Sequence, residues 1–183
     1  SRFGCIILHD GCNARCRRRL DRVVNFFTVL IMKISSLETF QCDAGWRPWT
    51  FVKITADSGL VGWSECSESF GSHAGVAAIV RDLAKHCVGE NPCAVENMYW
   101  KLYAATRQSP GSVVQKAIAG IENALLDLKG KALGVPVYEL LGGAIRDRVR
   151  LYWSHCGTTR VRSAELANVP PITSLSDIQA LAD

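Results

Sequence analysis

The sequence predicts an α+β domain followed by the opening of a second, α/β unit. Three observations carry that expectation. Between residues 33 and 66, short stretches rich in β-branched and aromatic residues are separated by turn signals. From residue 72 to residue 133, apolar residues recur every three or four positions. Beyond Gly142-Gly143, a strand-like stretch, a loop and a helix start follow one another. The 183 residues, 48% hydrophobic and 21% charged, suffice for one core and part of another. That composition excludes a disordered tail and a collagen-like repeat. No window supplies the ~18 uninterrupted apolar residues of a membrane span.

Each element has a local reason. Residues 33–40 alternate imperfectly, with Ile34, Ser36, Glu38 and Phe40 against Lys33, Ser35, Leu37 and Thr39, and read as a strand. Residues 41–48, containing Gly, Asp and Pro, read as a loop. Residues 50–56 read as a second strand and residues 60–66 as a third. Asp57-Ser58-Gly59 between them predicts an antiparallel hairpin. Three strands with one apolar face need helices to cover it. Ser72 is placed to cap a helix carrying Val76, Val80, Leu83 and Cys87, with Gly89 as its stop. Asn91-Pro92 is expected to open the next helix, which puts Val95, Met98 and Leu102 on one face. Ser112 and Gln115 have capping-box spacing at the head of the longest helix. Its stripe runs through Val114, Ala117, Ile118, Ile121, Leu125 and Leu128, and the small Ala117, Gly120 and Ala124 let a neighbour approach closely. Gly134 and Pro136 end it. Residues 149–154 then read as a new strand and residues 157–171 as a loop. Ser174 is positioned to cap a helix starting near Ser176.

The formal charge of +4 is unevenly placed. Residues 1–31 carry six Arg against Asp10 and Asp21, and the remainder is balanced. The run Arg17-Arg18-Arg19 has no aromatic platform or recognition helix beside it, so nucleic-acid binding is not expected. No small-x-small cleavage site follows residues 23–31, which disfavours a signal peptide. Residues 1–31 are therefore expected to be a non-domain extension, with the fold starting at Met32. The eight cysteines form no C-x-x-C pair and no zinc-finger spacing with His. Free thiols in a reducing, cytoplasmic setting are expected.

One long run is specific. Ala119-Gly120-Ile121-Glu122-Asn123-Ala124-Leu125-Leu126-Asp127-Leu128-Lys129-Gly130-Lys131-Ala132-Leu133-Gly134 continues through Pro136-Val137-Tyr138-Glu139-Leu140-Leu141-Gly142-Gly143 to Arg146-Asp147-Arg148-Val149. With Met32-Lys33-Ile34 and Asp57-Ser58-Gly59-Leu60-Val61-Gly62-Trp63-Ser64-Glu65, it resembles the N-terminal part of the enolase superfamily, in the mandelate racemase and muconate lactonizing subgroup. The resemblance implies a capping domain over residues 32–145, sitting on the mouth of a modified TIM barrel. Residues 146–183 would be the truncated start of that barrel. Tyr152-Trp153-Ser154-His155-Cys156-Gly157 would supply its first strand and loop, in a manner similar to acid-sugar dehydratases.

Such enzymes remove a proton beside a carboxylate. The resemblance implies magnesium to stabilise the resulting anion and a Lys or His base to take the proton. It places the carboxylate ligands on middle barrel strands and a Lys-x-Lys on the second strand, all beyond Asp183. No catalytic or metal-binding residue is therefore expected in this chain, which would be inactive alone. Lys129-Gly130-Lys131 is read instead as a helix-terminal cation pair with Asp127 four residues away. Glu65 and Glu68 are read as solvated or capping.

Substrate selection is what remains for the chain to contribute. In relatives, the loops corresponding to residues 42–49 and 66–73 close over the barrel mouth. Trp46, Arg47 and Trp49 would offer a guanidinium for a carboxylate and aromatic faces for a sugar. The competing reading packs Trp49 into the core and uses Arg47 to cap the loop. His155, at a strand end, is the fourth candidate substrate contact; His73 is read as a surface residue at a helix start. The implied partners are a small sugar acid, the missing C-terminal barrel and, for the full-length protein, further copies of itself. A racemase, epimerase or cycloisomerase of the same superfamily remains open, as does a non-catalytic binding or assembly domain.

Overall fold

In a computed structural model, the described residues are 31–44, 47–68, 71–109, 111–152, 157–165 and 168–181. The sheet has three strands in the order β1-β2-β3: β1 (Ile34–Asp43), β2 (Pro48–Ala56) and β3 (Val61–Glu65). Both pairings are antiparallel. The imperfect alternation of β1 has a physical cause. Its register slips between Ile34 and Ser36, so that Ile34 opposes Ala56 while Ser36 opposes Thr55. This β-bulge leaves Ser35 over and lets Ile34 and Leu37 serve the same core face. Ser35 Oγ donates to Thr55 O at 2.9 Å. The stretch expected to be a loop contributes to both strands, because Gln41, Cys42 and Asp43 pair with Thr50, Trp49 and Pro48. Only residues 44–47 remain as the connection, closed by Ala44 N–H donating to Arg47 O at 3.1 Å.

The helices are α1 (His73–Cys87), α2 (Val95–Ala105), α3 (Ser112–Leu133) and the short α4 (Val137–Leu140), α5 (Thr158–Arg162) and α6 (Leu175–Gln179). Ser72 caps α1 as expected, its side chain accepting from Gly75 N–H. Asn91-Pro92 does not open α2. Asn91 Oδ1 accepts from Cys93 N–H at 2.8 Å, so the pair forms a turn and the helix starts at Val95. The capping box at Ser112 is also absent. Gly111, at φ 90°, is the N-cap and Ser112 already lies inside α3, with no side-chain cap. At the other end, Gly134 adopts the left-handed conformation and Val135 N–H returns to Gly130 O at 2.9 Å. Ser174 caps α6 as expected, and Asp177 completes a capping box with it.

β2 shows which face is covered: Thr50, Val52, Ile54 and Ala56 are buried and alternate with half-buried Trp49, Phe51, Lys53 and Thr55. Against the buried face pack Val76, Val80, Leu83, Met98, Leu102, Ile118, Ile121, Leu125 and Leu128 in one core. α3 comes nearest the sheet where glycines face it. A β-carbon on Gly62 would lie 2.1 Å from Ala124 O, and one on Gly120 would lie 2.8 Å from Cys66 Cβ. The small-residue reading of Ala117, Gly120 and Ala124 therefore describes a real close approach.

Past α4 the expected first barrel strand does not form in its described part. Val149 to Tyr152 carry no strand pairing, and Val149, Leu151 and Tyr152 are at least 70% exposed. A strand without a neighbour leaves its own hydrogen-bonding groups unmet, which is reason enough for it not to form. Residues 153–154 of that segment, and the expected extension up to residue 30, lie outside the described residues. The loop expected over residues 157–171 contains the one-turn α5.

Among the described residues, Cys42, Cys66, Cys87 and Cys93 are free thiols. Burial, reinforced by Glu65, pushes the Cys66 thiol up to about 11. Burial pushes Cys87 up to about 12, with Glu90 adding to the effect and Lys101 opposing it. Only the thiolate alkylates, so at pH 8 both should resist iodoacetamide in the folded protein while exposed Cys42 reacts. Peptide mass spectrometry checks the order. Cys66 or Cys87 labelling as fast as Cys42 before unfolding would contradict the packing.

Candidate substrate-facing loops

Two loops emerge from the same end of the sheet. The β1–β2 connection, residues 44–47, lies beside the segment that leaves β3, because Cys66 N–H donates to Thr50 O and Thr50 N–H donates to Ser67 Oγ, both at 2.9 Å. The second loop is held from three directions. Ser67 N–H donates to Glu65 Oε1 at 2.8 Å, and Lys116 of α3 reaches both oxygens of Glu68 at 2.6 and 2.7 Å. Its far end is fixed by the Ser72 cap. Glu65 and Glu68 thus each anchor the loop through a partner of their own.

Within the first loop, the Arg47 guanidinium carbon lies 5.7 Å from the centroid of the Trp49 ring, within cation–π range. Trp49 packs next to Phe51, with centroids 6.0 Å apart, on the sheet face turned away from the helices. It is not part of the core cluster, so the core-packing reading of Trp49 fails. The Arg47 carbonyl accepts from Ala44 N–H and so helps close the loop. The structure therefore brings together two of the four candidate residues; Trp46 and His155 lie outside the described residues.

Among the described residues, the buried Trp49 Nε1 and the buried His73 Nδ1 meet no hydrogen-bond partner. An unsatisfied buried donor or acceptor costs about 1–3 kcal/mol, so each is a position where an added partner is favourable. Sequence reasoning set His73 aside because a histidine at a helix start is ordinarily exposed. Its neighbourhood depends on the folded loop and leaves no trace in spacing.

Lys131 of the Lys-x-Lys stretch is already engaged, donating to Asp127 Oδ2 at 2.6 Å and to Val61 O at 2.9 Å. The structural reading of that pair holds for Lys131. Among the described residues, no group of three or more His, Cys, Asp or Glu side chains converges to hold a metal ion. The described residues therefore offer no carboxylate cluster of the kind magnesium needs. Nor is any helix among the described residues long and apolar enough to cross a membrane.

A three-stranded antiparallel sheet covered on one face by helices, with two loops at one end, is the architecture of the N-terminal capping domain of enolase-superfamily enzymes. Residues 36–142 match the mandelate racemase / muconate lactonizing enzyme N-terminal domain, and the chain belongs to that family. A D-galactonate dehydratase of Xanthomonas axonopodis pv. citri (strain 306) is 44% identical over 121 residues, covering 66% of this chain and 31% of the relative. Among solved structures, a Burkholderia xenovorans strain LB400 protein bound to magnesium and fumarate is provisionally called an L-alanine-DL-glutamate epimerase. It superposes with a TM-score of 0.69 at 51% identity, covering 73% of this chain and 33% of the other. An Agrobacterium radiobacter enolase with bound sodium and L-malate is provisionally called a galactarate dehydratase. It gives a TM-score of 0.62 at 36% identity over 66% of this chain and 30% of that one. The chain thus spans about a third of the length of the curated relatives it matches.

Proposed function

We propose that residues 32–145 are the substrate-capping domain of a magnesium-dependent acid-sugar dehydratase. Residues 146–183 would lead into its barrel, and residues 1–31 would stand outside both domains. In this reading the barrel supplies the metal ligands and the proton-abstracting base, and the present chain is incomplete as a catalyst. Its own residues bind and enclose. The Arg47 guanidinium pairs with the substrate carboxylate or hydroxyls, the Trp49 ring covers an apolar sugar face, and the anchored residues 66–68 exclude water beside them. The observation that carries the dehydratase assignment is the 44% identity, over 121 residues, to a D-galactonate dehydratase. The exposed apolar run of Leu141, Ile145, Val149, Leu151 and Tyr152 supports a neighbouring domain beyond α4.

A chimera tests the reading. Residues 32–145 replace the equivalent part of the Xanthomonas D-galactonate dehydratase, and dehydration of D-galactonate is followed. Removing a charged hydrogen-bond partner by Arg47→Met should raise KM about tenfold or more with a smaller change in kcat. An unchanged KM would remove Arg47 from substrate selection. A second reading, a racemase or epimerase, is favoured by the 51% identity to the protein provisionally called an epimerase. A chimera that inverts a stereocentre without losing water would favour it.

A further inference from the structure

β3 is the last strand of the sheet, and one side of its backbone faces away from β2. Cys66 N–H meets Thr50 O, and Ala56 N–H meets Leu60 O. The even-numbered positions therefore pair inward, while the backbone groups of Val61 and Trp63 point outward. An edge of this kind is a template for another strand unless it is blocked. The strand itself, Val61-Gly62-Trp63-Ser64-Glu65, has no proline and no lysine to repel a copy. The block comes from α3. Asp127 Oδ2 accepts from Trp63 N–H at 2.8 Å, Lys131 Nζ donates to Val61 O at 2.9 Å, and the two side chains are joined at 2.6 Å. One helical turn separates Asp127 from Lys131. Its rise of about 5.4 Å is close to the roughly 6.6 Å between alternate strand residues, so one outward group on each of the two residues is reached at once.

We propose that Asp127 and Lys131 form an autoinhibitory clasp that keeps the β3 edge from pairing with β3 of a second copy of this chain. With the clasp open, antiparallel pairing about Trp63 is self-complementary, since the N–H and C=O of each strand meet the C=O and N–H of its mate.

The test uses the full chain carrying Asp127→Ala and Lys131→Met, with amide exchange read at Trp63 and mass by light scattering. In the wild type, Trp63 should be protected equally at every protein concentration. In the double variant its exchange should rise about tenfold in dilute solution, as for a lost charge-assisted hydrogen bond. Protection should return, with a rise in mass, as concentration increases. Adding Trp63→Lys should abolish that association. A folded double variant whose exchange and mass do not depend on concentration overturns the proposal, and so does association that survives Trp63→Lys. Should the double variant not fold, Lys131→Met alone, which frees the Val61 carbonyl and leaves the Asp127 bond to Trp63 in place, is read by mass, and a folded single variant whose mass does not rise with concentration overturns the proposal.

Discussion

Replacing Gly62 by alanine is expected to cost at least about 3 kcal/mol, at the upper end of overpacking effects. The added carbon would stand 2.1 Å from Ala124 O, 2.7 Å from Leu128 Cβ and 3.0 Å from Leu128 N. Two of these atoms are helix backbone, so no rotamer change can relieve the clash. α3 must retreat from β3, taking with it the bonds from Trp63 and Ser64 to the helix. Gly59→Ala is the control, because Gly59 has a φ of 84° but nothing within 4 Å of the added carbon. Its penalty is backbone strain alone, roughly 1–2 kcal/mol. Urea unfolding should give a far lower midpoint for Gly62→Ala than for Gly59→Ala. Equal midpoints would contradict the close approach.

Ile121→Asp is expected to remove most of the stability. Ile121 has no exposed surface and sits mid-way along the buried stripe of α3, between the sheet and the neighbouring helices. A carboxylate there finds no cation within the core cluster, which is wholly apolar. An unpaired buried charge costs several kcal/mol against a typical total of about 5–15, so cooperative melting should be lost or its midpoint should fall steeply. Calorimetry with an unchanged midpoint would refute the core assignment.

The core of α3 was legible in the sequence because periodicity reports burial directly: Ala117, Ile118, Ile121, Leu125 and Leu128 are all buried. What sequence could not show were features decided by contacts distant along the chain. The bulge at Ser35 follows from pairing with Thr55, and spacing alone presents it as broken alternation. The Ser112–Gln115 pair has capping-box spacing, yet the positive φ of Gly111 moves the cap back by one residue. Gly62 is an ordinary strand glycine until α3 lies against it. At the site, a cluster of loop residues pointed to Arg47 and Trp49, and the structure sets the guanidinium beside the ring. The unmet Nδ1 of His73 had no sequence signal, since its burial depends on how the loop after β3 is anchored.

In the proposed function this chain encloses a substrate but does not ionise it. The most direct measurement incubates the purified chain with a panel of sugar acids and Mg2+ in D2O, followed by proton NMR. No loss of water and no deuterium beside the carboxylate is the predicted result, with or without the metal. Metal-dependent dehydration or deuterium incorporation by the chain alone would contradict it.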